Sequence, residues 1–107
     1  MLLNYKYAGG FNTSGSNDII PALPNGESRI VVEFIITNMT TQTGADGELL
    51  SADVVLKMSN VVFAKTIINP GQSYYFDLKL FLTQGDSITL ETNVSDLHVI
   101  VSADDNK

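Results

Sequence analysis

From Ser28 onward the chain alternates with a period of two. In RIVVEFIITN, Arg29–Asn38, the residues Ile30, Val32, Phe34 and Ile36 share one face, as successive side chains of a strand point to opposite sides. The other face carries Val31, Glu33, Ile35 and Thr37 and is only half polar. A polar Thr/Gly loop over 40–48 precedes a second run, 49–58, with Leu50, Ala52, Val54, Leu56 and Met58 on one side and Ser51, Asp53, Val55 and Lys57 on the other. Ser59-Asn60 reads as a turn into Val61–Ile68. Asn69-Pro70-Gly71-Gln72 is a stronger turn, since Pro fixes φ and Gly supplies a positive φ. Ser73–Leu82 alternates Tyr74, Phe76, Leu78 and Leu80 with Tyr75, Asp77, Lys79 and Phe81. After the turn at Thr83-Gln84-Gly85-Asp86, runs at 87–92 and 97–102 close the chain.

The first 27 residues are patterned differently. A short strand at 2–7 leads into Gly9-Gly10 and a polar loop, and Pro21, Pro24 and Asn25-Gly26 interrupt a second apolar piece. They read as an N-terminal arm with one or two short edge strands, lying on this chain's core or on a neighbour's, followed by a core over 28–107. With no helical period anywhere, the pattern predicts an all-β fold, an antiparallel β-sandwich of jelly-roll or immunoglobulin-like type with seven to eight strands. Its predicted core is Ile30, Val32, Phe34, Ile36, Val54, Leu56, Tyr74, Phe76, Leu78, Leu80, Ile88, Leu90, Val99 and Val101.

Composition narrows the function classes. Over 107 residues, twelve Asp and Glu against six Lys and Arg give a formal charge of −6, the wrong sign for neutralising nucleic-acid phosphates or docking on an anionic membrane. The absence of Cys excludes disulfides, thiolate metal sites and a cysteine nucleophile, and a single histidine excludes any site needing two from one chain. Met1-Leu2-Leu3 gives way at once to Asn4, Tyr5 and Lys6, which is not the order of a secretory signal, and no apolar run approaches a membrane span.

Candidate chemistry is sparse. His98 has Asp96 and Glu91 as conceivable neighbours, but no motif links them, and an exposed strand residue is the plainer reading. Asp46 and Glu48 lack the ligand series of an EF-hand, and a solvated loop is expected there. The sequons at Asn12, Asn38 and Asn93 read as ordinary turn and strand-end residues. The carboxylate pairs Asp77/Asp86 and Asp104/Asp105 have no spacing specific to glycoside hydrolysis. Tyr75 or Phe81 projecting from a sheet is a candidate platform for stacking on a sugar. No cofactor or metal is expected, and the chain does not read as an enzyme.

More telling is the apolar surplus on the second faces of the strands. A sandwich of this size has one interior, so side chains beyond it need another cover. Val31, Ile35, Phe63, Ile67, Tyr75 and Phe81 are predicted to line contacts with other subunits or a particle.

The stretch 30–102 resembles small β-sandwich proteins of tailed-bacteriophage virions: capsid decoration or cement proteins, head fibres and tail accessories. The cues are Ile36-Thr37-Asn38 before a Thr-rich loop, then Ala52-Asp53-Val54-Val55-Leu56 and Asn69-Pro70-Gly71-Gln72 leading into Leu78-Lys79-Leu80-Phe81-Leu82. Next come Leu82-Thr83-Gln84-Gly85-Asp86-Ser87-Ile88 and the closing Val99-Ile100-Val101-Ser102. The resemblance implies a non-enzymatic structural protein of the virion, made in the bacterial cytoplasm and binding the particle surface as a homo-oligomer, a trimer favoured over a dimer. Its partners would be itself and the major capsid or another virion protein. The competing reading is a carbohydrate- or receptor-binding module of a phage tail or fibre, with a host glycan as ligand.

Overall fold

The runs rich in β-branched and aromatic residues become eight antiparallel strands: β1 (Leu2–Ala8), β2 (Asn17–Ile20), β3 (Arg29–Asn38), β4 (Ala52–Met58), β5 (Val61–Ile68), β6 (Ser73–Leu82), β7 (Ile88–Thr92) and β8 (Leu97–Asp105). The computed structural model describes residues 2–105. Two four-stranded sheets face each other, β1-β8-β3-β6 and β2-β7-β4-β5. The pairing is nested: β4 with β5, β3 with β6, β2 with β7 and β1 with β8. Wrapping this long ribbon on itself adds the pairs β3·β8 and β4·β7. That connectivity is a jelly roll, one of the two sandwich types the alternation allowed.

Turn chemistry sets the innermost hairpin. Ser59 (φ 49°) and Asn60 (φ 70°) both take left-handed backbone, the geometry of a two-residue I′ turn that matches the twist of its strands. At 69–72, Pro70 starts the turn, Gly71 (φ 75°) takes the positive φ, and the Gln72 N–H donates to the Asn69 carbonyl over 3.0 Å.

The core between the sheets includes Phe34, Ile36, Val54, Leu56, Leu82, Ile88, Leu90, Val99 and Val101. The first 27 residues are built into it: β1 pairs with β8, β2 with β7, and Phe11, Ile19, Ile20 and Leu23 are buried with the rest. The boundary expected at 27/28 is therefore no break in the core.

Two β-bulges move side chains off the faces that alternation assigns. Near Val32, between Val31 and Glu33, the register of β3 shifts against both β6 and β8. Val31 thereby joins Phe34 and Ile36 in the interior, fully buried, while Ile30 and Val32 are only half-buried. In β5 the register against β4 slips around Phe63, and its ring sits 5.9 Å from Phe34. Val31 and Phe63 are thus core-facing, not surface residues. On β6, Phe76, Leu78 and Leu80 point inward but are half-buried, and Tyr74 is exposed, because β6 is an edge strand.

Asn38 closes the end of β3. It is fully buried, and its Nδ2 donates to the carbonyls of Leu50 (3.1 Å) and Ile68 (2.9 Å) while its Oδ1 accepts the Thr40 N–H (3.0 Å). The sequon there is a structural clamp between the sheets, closed to any glycan.

Candidate interaction surface

Cross-strand partners point the same way, so the ladders give the outer face of the first sheet row by row. Lys6, Ile100, Ile35 and Tyr75 form one row across all four strands. The next holds Asn4, Ser102, Glu33 and Asp77, and Ile30 with Phe81 lies beyond it. Of the six residues expected at an interface, Ile35, Tyr75 and Phe81 therefore share one face, with Tyr75 60% and Phe81 67% exposed. Ile100, which the pattern did not single out, completes the apolar row. Interaction with the nearby Glu33 carboxylate, foremost as a hydrogen-bond acceptor, and the charge of Asp77 raise the Tyr75 pKa above the ordinary 10.0. Ile67, 65% exposed, lies on the outer face of the other sheet opposite Asp53.

The aromatic side chains inside this edge form a chain of contacts. Tyr74 packs on Phe76 (4.4 Å), Phe76 stands edge-on to Phe34 (6.4 Å), and Phe34 meets Phe63. The exposed end of β6 is thus continuous with the core.

Two open clefts lie on the second sheet. One, about 480 Å³, is lined by the 13–16 loop with Asp53, Val55, Glu91 and Asn93. The other, about 640 Å³, runs over Asp53, Val55, Lys65 and Ile67. In the first, Lys57 Nζ donates to Glu91 Oε2 over 2.6 Å and Ser16 Oγ adds a second bond, so the Glu91 carboxyl is held below its ordinary range. No aromatic residue lines either cleft, whereas the proposed sugar platforms Tyr75 and Phe81 are on the other sheet.

The remaining candidates are placed singly. His98 is exposed on the outer face of β8, between Ala8 and Thr37. Asp46 Oδ1 accepts the Glu48 N–H over 3.0 Å and so holds its own loop. Asp86 caps a turn, accepting the Thr83 N–H and the Ser59 and Thr83 hydroxyls, far from a catalytic pairing with Asp77 in mid-β6. The side chain of Asp105 lies outside the described residues. Among the described residues, no three of His, Cys, Asp and Glu converge on a point that suits a metal ion.

No protein-family model matches the chain, and no curated protein matches it either.

Proposed function

We propose that this protein is a non-enzymatic structural component of a tailed-phage virion, a capsid decoration or cement protein that binds the particle surface as a homo-oligomer. The observation that carries the reading is the row of Tyr75, Ile100 and half-buried Ile35 on the outer face of the first sheet, with the exposed Phe81 on the same face. Apolar surface of this kind marks a protein contact. The virion-like turn and strand motifs over 30–102 also support it, while the double-sheet jelly roll is shared by capsid and lectin domains. The carbohydrate-binding alternative favours a cleft beside its aromatic platform, and here both clefts lie on the sheet opposite Tyr75 and Phe81.

The test is composition of the particle. Density-purified virions from a lysate of the encoding phage or lysogen should contain this chain in a fixed ratio to the major capsid protein, measured by quantitative mass spectrometry. Its presence in the lysate but absence from the particle would end the proposal.

A further inference from the structure

We infer that β6 is a self-pairing edge: two copies of this chain join antiparallel through β6, about a two-fold axis at Leu78, into one continuous eight-stranded sheet. This concerns self-association alone and stands or falls separately from attachment to a virion.

The edge is open. β6 is ten residues long, terminates its sheet, and among the described residues pairs only with β3. Its free backbone groups can be assigned. The Gln72 carbonyl accepts the Asn38 N–H over 2.9 Å, so the amides of even-numbered β6 residues turn toward β3. Burial alternates without a break from Phe76 to Leu82, so β6 keeps one phase across the register shift with β3, where Leu78 and Lys79 together stand opposite Val32. The odd-numbered residues, Tyr75, Asp77, Lys79 and Phe81, therefore present their N–H and C=O groups to the edge.

An antiparallel two-fold pair has to match odd with odd for these groups to bond. With the axis at Leu78, Asp77 faces Lys79 of the second copy, and Lys79 faces its Asp77. Tyr75 faces Phe81 in the same way, and on the inner side Phe76 faces Leu80. The charges and the aromatic residues are thus mirror images about one residue. Sliding either copy by two residues sets Asp77 against Asp77 or Lys79 against Lys79. Only the Leu78 register matches opposite charges twice. Neither Asp77 nor Lys79 makes an ion pair within its own chain among the described residues. The second copy also covers the half-buried Phe76, Leu78 and Leu80, which a lone sandwich leaves open. Charges on an edge usually serve to repel pairing. Here their order makes them selective for a copy of the same strand. The contact is two-fold, which departs from the trimer that the virion resemblance implies.

Sedimentation velocity of the full chain over a concentration series tests this, with thermal unfolding as the control for folding. The expected result is a two-chain mass. Asp77→Lys alone and Lys79→Asp alone each place like charges opposite one another twice and should weaken the dimer by about tenfold or more. The double exchange, Asp77→Lys with Lys79→Asp, re-creates both opposite-charge pairs and should restore it. A monomer at every concentration, a three-chain mass, a dimer indifferent to the single exchanges, or a double exchange that stays monomeric would each overturn the inference.

Discussion

Asp86 shows how much a turn can ask of one carboxylate. Its oxygens accept the Thr83 N–H (2.9 Å), the Ser59 hydroxyl (2.8 Å) and the Thr83 hydroxyl (3.2 Å), and the first of these does most to hold its carboxyl below the ordinary 3.8. Glu91 is lowered in the same sense, by Lys57 first and then Ser16. A carboxylate with a depressed folded pKa binds protons less readily folded than unfolded. Its stabilisation is therefore complete above the ordinary carboxylate range and is lost as pH falls through the lowered value. The urea midpoint should hold steady from neutrality to about pH 5 and fall below about pH 4. Asp86→Asn should make that acid limb shallower; an unchanged limb would show that the turn's bonds do not discriminate the charged form. Asn38 carries the opposite lesson. As Asn-Met-Thr it reads as a surface sequon, and nothing in three letters reveals that its amide bridges two carbonyls in the interior.

At the scale of elements, alternation located the long strands well. The runs 29–38, 61–68 and 73–82 form strands at the expected bounds, because β-branched stretches ending in Asn-Pro-Gly or Gly-Asp turns leave few other choices. The run from 49 begins only at Ala52, since Leu49 bridges back to Thr43 and Leu50 to Gln42 within the loop. Faces were less legible than strands. A bulge in β3 carries no Gly or Pro to announce it, and with apolar residues on both sides of the strand the pattern reads equally well in either register. The displacement is measurable. Val31→Ala, at a fully buried position, should cost about 2–3 kcal/mol from lost burial plus a cavity, and Val32→Ala under about 1 kcal/mol. Strict alternation gives the reverse order, so a pair of urea titrations separates the two.

For the whole molecule, the decisive fact is that the fold has no dispensable arm. β1 closes one sheet and β2 the other, and Phe11, Ile19, Ile20 and Leu23 are buried in the common interior. Each such side chain is worth about 1.5–3 kcal/mol, against a total near 5–15 kcal/mol for a small domain. A chain lacking residues 1–27 should give the circular dichroism of an unfolded protein. If it kept a cooperative β-sheet melt, the core would have to stand without those four side chains. The turn-rich sequence of this segment conceals its contribution, because its apolar residues bury against partners some seventy positions away, as Ile20 opposite Ile88 illustrates. Of the predicted interface residues, Ile35, Tyr75 and Phe81 fall on one outer face, while the bulges draw Val31 and Phe63 inside.

The nested pairing has a consequence for how this module joins to anything else. Leu2 lies opposite Asp104, so the path into the fold and the path out of it are one strand spacing apart, about 4.8 Å. Spliced into a surface loop of another protein, such a unit would ask that loop to bridge only about one strand spacing. Both connections leave from β1 and β8, at the flank of the sheet opposite β6. Cargo carried there would hang on the outer ends of a β6-joined pair, clear of the seam.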